Sequence, residues 1–268
     1  MRFYFILFLL VILTGCAGGY GQFYHAYVDP ALDPELELLT DGADPQIFGS
    51  DNIERDALTL RAKKYVPIGY SSFNGALEDT ENAVKQAKKV GASIVLVNSK
   101  YTNTRTNTSV LFLPDNKTTH HSGSVSGNTQ YSGGGSSNTA GTYSGTSTTS
   151  GTKAVPYTSV QRRFDQTALY FIKNTRTYKF GVNFEDLTPQ DRKRLERNIG
   201  VLITVVIEGT PAFYANILTD DVLIEVDNQL IRNVDHAKQL MGSVSPEKES
   251  SMLTVIRNGS RRDIKVQF

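Results

Sequence analysis

Several features that mark common classes of protein are missing from this sequence. The 268 residues include no tryptophan and a single cysteine, Cys16, so an intrachain disulfide is excluded. The 28 basic and 27 acidic residues leave a formal net charge of +1, which does not indicate a nucleic-acid partner. No apolar run approaches the roughly 20 residues that a membrane-spanning helix needs. These absences, with a hydrophobic fraction of 39%, exclude a polytopic membrane protein.

Motifs of common catalytic sites are missing as well. The chain contains no GxSxG nucleophile elbow, no GxxxxGK[ST] phosphate-binding loop and no Gly-x-Ser-Gly-Gly segment. Each of the four histidines (His25, His120, His121 and His236) stands without a recognisable nucleophile or metal-ligand partner in sequence. We therefore expect that the protein is not an enzyme and holds no cofactor and no metal ion.

The N-terminus has the pattern of a secretion signal. Arg2 is followed by eleven apolar residues, 3–13, and then by the small residues Thr14 and Gly15 before Cys16. A basic start, a short apolar core and small residues after it are typical of a secretory signal peptide. We predict a signal peptide at residues 1–15.

The residues around the cysteine carry a family resemblance. Leu13-Thr14-Gly15-Cys16 resembles the lipobox of bacterial lipoproteins, which implies acylation (palmitate among the chains) and cleavage just before Cys16. Several buried acyl chains would anchor the protein stably in a membrane, since each buried methylene contributes about 0.8 kcal/mol. Ala17 after the cysteine resembles the sorting signal for the outer membrane of Gram-negative bacteria. The alternative is an ordinary signal peptide with a chance cysteine.

Residues 16–56 are rich in Gly, Pro, Asp and Glu, which predicts an acidic flexible tether without long elements. A calcium site is the alternative for its acidic series, but the spacing of an EF-hand loop is absent.

An α/β domain is predicted at residues 57–175. An apolar segment at 65–70 and another at 93–101 have the composition of strands, and an amphipathic pattern at 76–90 predicts a helix between them that ends at Gly91. Strand, helix and strand together form a βαβ unit. The Thr-, Ser-, Gly- and Asn-rich residues 102–155 interrupt the domain, and we predict a long hairpin with a disordered tip there.

Residues 200–229 form the centre of the C-terminal domain. They contain an apolar β-branched run at 201–207, a single helical turn that begins at Thr210-Pro211, and a second strand at 222–226. Tight turns are predicted at Asp227-Asn228 and at Asn258-Gly259. Charged and amphipathic helices are expected at 188–198 and 234–241. The expected fold class is α+β: a small βαβ-containing N-terminal domain with a disordered hairpin insertion, then a β-barrel with two helices.

These residues resemble a PDZ domain, of the type found in HtrA-like periplasmic proteases, over residues 178–268. The resemblance rests on the following segments: Phe180-Gly181-Val182, Gly209-Thr210-Pro211-Ala212, Asp221-Val222-Leu223-Ile224 and Val255-Ile256-Arg257-Asn258-Gly259. Two positions depart from the family, which usually has glycine where this chain has Asn216 and Asp220. Asn and Asp tolerate a positive φ angle better than other residues, so we expect the fold to keep both turns.

The resemblance implies a site for a peptide or a protein C-terminus. An extended peptide would pair with the strand that begins at Gly181, and backbone N–H groups of the preceding loop would hold its carboxylate. The implied site residues are Lys179, Phe180, Gly181, Val182, Phe184, Ala237 and Met241. Phe184 and Ala237 could equally belong to the core, because a small domain needs both.

The function that follows is a lipid-anchored, non-catalytic adaptor or scaffold in the cell envelope, placed in the outer membrane of a Gram-negative bacterium. An alternative is an envelope sensor or the regulatory subunit of a protease. A third is a hydrolase in the first domain that the motifs do not reveal.

Overall fold

The structure, a computed structural model, describes residues 18–268 and contains two six-stranded sheets with six helices. The predicted signal peptide and Cys16 lie outside the described residues. Within residues 18–268, every helix is too short or too polar to cross a membrane. The α+β class is confirmed.

The first sheet has the order β1-β4-β6-β5-β3, and β2 pairs with β6. Its elements in chain order are α1 (Gly19–Gln22), β1 (Tyr24–Ala26), β2 (Leu36–Glu37), β3 (Gln46–Gly49), α2 (Ile53–Ala62), β4 (Tyr65–Gly75), α3 (Glu81–Lys89), β5 (Ile94–Gln130) and β6 (Ser136–Asn174).

The predicted βαβ unit is present, with one strand inserted into it. β4 pairs antiparallel with β6, and β6 forms a hairpin with β5, so β4 and β5 run parallel with β6 between them. Helix α3 buries Ala83 and Ala87 against the sheet. Gly91, with φ +72°, ends the helical region as its sequence position predicts.

The structure differs from the predicted flexible tether. From residue 18 onward this segment is part of the first domain: Tyr20 is fully buried in the core, β1 pairs with β4, and β3 pairs in parallel with β5. The composition was misleading because three short strands and a few aromatic side chains suffice to bind a Gly- and Pro-rich segment to an existing sheet.

The insertion also differs from its prediction, in that the hairpin is ordered throughout. Residues 103–162 form a compact unit of their own, built from the distal parts of β5 and β6. The turn at Tyr131–Gly135 is closed by hydrogen bonds of 2.8 and 3.1 Å. Threonine has a high strand propensity, and a hairpin pairs the backbone groups on the facing edges of its two strands without a buried core, so low hydrophobicity did not prevent pairing.

The second sheet has the order β12-β11-β9-β8-β7, with β10 paired to β9, and its two end strands do not meet. The expected closed barrel is therefore corrected to an open sheet. Its elements are β7 (Val182–Asp186), α4 (Pro189–Arg194), β8 (Val201–Val206), α5 (Pro211–Tyr214), β9 (Val222–Val226), β10 (Gln229–Leu230), α6 (Val234–Gly242), β11 (Ser250–Arg257) and β12 (Ser260–Gln267).

The core of this domain comes from the predicted central stretch. Val201, Ile203 and Leu223 are completely buried, and they pack with Leu253 and Val255 of β11. The predicted turns are confirmed, because Asp227, Asn228, Asn258 and Gly259 all have positive φ angles.

Asn216 and Asp220 also have positive φ angles, of 60° and 70°, so both turns keep the backbone shape that glycine would give. We expect Asn216→Ala to lower the free energy of unfolding by about 1 kcal/mol, because alanine lacks the local hydrogen bonding that makes this conformation tolerable for asparagine. Asn216→Gly is the matched control and should change stability by less than about 0.5 kcal/mol. Urea unfolding followed by circular dichroism measures both, and equal stability of the two variants would contradict the prediction.

Candidate functional site

A free strand edge lies opposite a helix in the C-terminal domain. β7 is the last strand of the sheet and, in the part of the chain that the structure describes, it pairs only with β8. Its other edge faces α6. At one end of this groove, the Asp186 carboxylate accepts a hydrogen bond of 2.9 Å from the Val234 N–H, which joins the end of β7 to the start of α6.

The loop before β7 closes the other end of the groove. Gly181 has a φ angle of +85° and lies directly against Thr210. The carbonyls of Phe180 and Gly181 accept hydrogen bonds from the Ala212 and Ile207 N–H groups, at 2.9 and 2.8 Å. Among residues 18–268 we find no acceptor for the N–H groups of Phe180 and Gly181. Two adjacent amide donors are therefore available to an anion at the end of the free strand.

Lys179 and Phe180, at the start of this loop, fix its position through contacts with other parts of the domain. The Lys179 ammonium donates hydrogen bonds to the Val244 carbonyl, at 3.1 Å, and to the Ser245 carbonyl, and it lies 4.7 Å from the centre of the Phe268 ring. Phe180 is 6% exposed and makes an edge-to-face contact with Phe268 at 4.9 Å. Lys179 thus holds the segment after α6 in place.

The predicted apolar residues come together at the groove, but they have different degrees of burial. Val182 and Phe184 are half-buried and pack against the core from β7. Met241 is 9% exposed, whereas Ala237 has no exposed surface. Of the two residues left open between groove and core, Ala237 is in the core beneath the groove, and Phe184 retains surface that a ligand could contact.

Two basic residues that line the groove, Arg61 and Lys238, were not predicted from the sequence. A cavity of about 280 Å³ along β7 is lined by Val182, Asn183, Phe184, Glu185, Thr204, Lys238 and Arg61. The helical spacing of α6 could have indicated Lys238, but no local pattern could have indicated Arg61. This arginine belongs to α2 in the first domain, which contacts β8, and the Glu208 N–H donates a 2.8 Å hydrogen bond to the Ala62 carbonyl.

A second, larger cavity of about 690 Å³ shares Arg61, Glu185 and Thr204 with the first. The rest of its lining is largely apolar and comes from Tyr27 and from α2, β4 and β6 of the first domain, including Leu58, Pro67, Leu169 and Phe171. The groove is therefore continuous with a cavity that the C-terminal domain alone does not form.

Three of the four histidines make contacts with other residues. His25 stacks on Tyr70 with ring centres 5.2 Å apart, His121 Nε2 lies 2.9 Å from Ser147 Oγ, and His236 Nδ1 accepts from the Arg232 N–H. His120 is exposed on β5. Within residues 18–268, no three side chains of His, Cys, Asp or Glu are grouped so that they could hold a metal ion.

Comparison with known proteins assigns this part of the chain to a domain family. The sequence model of the PDZ domain matches residues 179–268. No curated protein matches the chain.

Solved structures to which the chain is similar include the following three. The HtrA-type protease AlgW with decapeptide is 19% identical, with 37% of this chain and 36% of AlgW covered and a TM-score of 0.30. The HtrA3 PDZ domain bound to a phage-derived ligand is 15% identical, with 33% and 81% covered and a TM-score of 0.29. The PDZ domain of EpsC from Vibrio cholerae is 16% identical, with 34% and 97% covered and a TM-score of 0.26. This chain spans about a third of the length of AlgW.

Proposed function

Because residues 179–268 are a PDZ domain, a peptide-binding module, we propose that this protein is a non-catalytic envelope adaptor that binds the C-terminus of a partner protein. The observation that carries the proposal is the free edge of β7, which faces α6 and ends at the Gly181 loop.

The groove supports a specific mode of binding. An extended peptide adds to β7 through main-chain hydrogen bonds, and its terminal carboxylate accepts from the N–H groups of Phe180 and Gly181. Its last side chain enters the space bordered by Val182, Phe184 and Met241. The binding energy comes mainly from backbone pairing and from this one buried apolar side chain, so we expect affinities in the micromolar range.

A peptide screen tests this function directly. We use the full chain with Cys16→Ser and a library of C-terminal peptides, and we expect binders that end in an apolar residue. Amidation of the terminal carboxylate should weaken binding at least tenfold, because a charge-assisted hydrogen bond contributes about 1.5–3 kcal/mol. Peptides of the same sequence with one added C-terminal aspartate keep a free carboxylate but lose the apolar last side chain, and they should bind equally poorly. Equal affinity of the free acid and the amide would contradict C-terminal recognition.

The lipid anchor is part of the same proposal. We expect the wild-type chain to be found in the membrane fraction and the Cys16→Ser chain in the soluble periplasmic fraction, because the thiol is the site of acylation in the lipobox pattern. Fractionation and immunoblotting measure the distribution, with Thr14→Ser as a control that keeps the cysteine. If Cys16→Ser remains in the membrane fraction, the anchor is not a lipid on this residue.

A sensor or regulatory subunit is the second candidate, and the contact between the two domains favours it. Arg61 of the first domain lines the groove, so a ligand bound there would contact both domains. A pull-down with the chain and with Arg61→Ala separates the candidates: a simple adaptor captures the same partners with both. The absence of casein turnover by the purified Cys16→Ser chain would count against the hydrolase alternative.

A further inference from the structure

The long hairpin is a polar β-ribbon that the PDZ domain does not explain. Side-chain contacts join its two strands at three places: Thr108 with Thr158 at 3.3 Å, Thr118 with Thr148 at 3.3 Å, and His121 with Ser147 at 2.9 Å. The two threonine pairs are each ten residues apart on their strands in opposite directions, so the strands keep one antiparallel register between them, and the His121–Ser147 contact is diagonal to it.

Over residues 105–162, neither outer edge of the ribbon pairs with another strand of the described chain. The pairing of β3 with β5 ends at Val97, and the pairing of β4 with β6 begins at Phe164. In the chain from residue 18 to 268, no third strand pairs with residues 105–162. A two-stranded ribbon in water is marginal at best, and three or more strands are normally needed for stability. A ribbon of this length therefore lacks the neighbouring strands that would stabilise it.

The usual protection of a free edge is missing from the distal part of the ribbon, although charged residues and prolines occur nearer its base, at 105–117 and 153–162. Proteins block exposed edges with charged side chains, prolines or bulges. Residues 118–152 contain no Asp, Glu, Lys, Arg or Pro over 35 consecutive positions. Closer to the base, Leu111 and Phe112 are 52% and 68% exposed. The edges are therefore open to another strand, and nearby apolar surface would gain from being covered.

The size of an edge matches that of a stable interface. Residues 105–130 extend over about 85 Å at roughly 3.3 Å per residue, and a sheet with its side chains is about 10 Å thick. One edge thus offers about 850 Å² per copy and about 1,700 Å² in total. Specific protein interfaces bury about 1,200–2,000 Å².

We propose that the ribbon at residues 105–162 is a self-association element that pairs edge to edge with the ribbon of a second copy of this chain. Over residues 118–152 the edges have no charge pattern that would select a different partner. Identical neutral strands also avoid the repulsion that like charges cause when they lie opposite each other. Threonine, serine and asparagine side chains of the two copies then continue the same cross-strand contacts that join β5 to β6.

The test is the oligomeric state of the full chain with Cys16→Ser, measured by light scattering after size-exclusion chromatography. We expect twice the monomer mass or more at 10 µM. The test variant carries lysine along both edges, at four positions: Thr119→Lys, Ser126→Lys, Thr139→Lys and Thr146→Lys. The dissociation constant of its self-association should be at least tenfold higher than that of the parent. The control carries glutamine at the same four positions, which keeps the side-chain length and polarity without the charge, and it should assemble like the parent.

Circular dichroism and peptide binding of the lysine variant should equal those of the glutamine variant, because the ribbon is remote in sequence from the groove. A parent chain that is monomeric at 100 µM would overturn the proposal. So would a lysine variant that keeps the mass of the glutamine variant. Neither result depends on whether the PDZ domain binds C-termini, so this proposal and the proposed function fail separately.

Discussion

Replacing Asp221 by alanine should lower the free energy of unfolding of the C-terminal domain by about 3–5 kcal/mol. The Asp221 side chain is 1% exposed and accepts two hydrogen bonds from Arg257, at 2.7 and 2.6 Å. It also accepts one from the Leu218 N–H, at 2.9 Å. Alanine would leave the guanidinium of Arg257, which is 14% exposed, without its carboxylate partner, and one backbone donor without an acceptor.

The expected loss is large compared with the total stability of a domain. Domains are stable by only about 5–15 kcal/mol, so the substitution removes a large part of the total. Hydrogen exchange with mass spectrometry on residues 179–268 measures the change in the free energy of unfolding. Loss of protection in β8 and β9 reports unfolding of this domain alone. The matched control is Arg194→Ala in α4. Arg194 pairs with Asp191 at 2.9 Å but is 67% exposed, and Asp191 keeps its hydrogen bonds with Thr188, so the loss of Arg194 should cost less than about 1 kcal/mol. Equal effects of the two substitutions would contradict the assignment of Asp221 as a buried, structural carboxylate.

Replacing Gly181 by alanine should weaken peptide binding by about 30- to 100-fold. Alanine disfavours the φ angle of +85°, and its Cβ would overlap the Cβ, Cγ2 and Oγ1 atoms of Thr210. Thr210 is 2% exposed and its hydroxyl donates a 2.6 Å hydrogen bond to the Ile207 carbonyl, so it has no room to move away. The loop must shift instead, and strain of about 2–3 kcal/mol corresponds to this loss of affinity.

Two further variants distinguish loss of the site from loss of the fold. Gly242→Ala is the control, because a Cβ there meets no atom within 4 Å and the φ angle is not positive. Its affinity should stay within twofold of the parent. Adding Thr210→Gly to Gly181→Ala removes the overlapping atoms, and it should recover part of the affinity. Isothermal titration with a peptide from the screen measures all three, and unchanged binding of Gly181→Ala would remove this loop from the site.

Most of the groove residues, but not all of them, were predicted from the sequence. The loop at Gly181 and the residues Val182, Phe184 and Met241 were predicted, and the structure brings them together with Phe180 around one free strand edge. Whether Ala237 belonged to the groove or to the core was decided only by its complete burial. Arg61 could not be predicted, because it reaches the groove through packing between segments about 120 residues apart in the chain.

The sequence by itself determined the PDZ domain of this protein, its turns and its α+β class. These features depend on local patterns: apolar alternation in strands, asparagine and aspartate at positive φ angles, and proline at the first position of helices. Only the tertiary structure decided that residues 18–56 belong to the first domain and that the Thr- and Ser-rich insertion is a paired ribbon. Both features depend on hydrogen bonds between strands that are distant in the chain. Composition indicates how much apolar surface a segment has, but it does not indicate whether another strand lies close enough to pair with it.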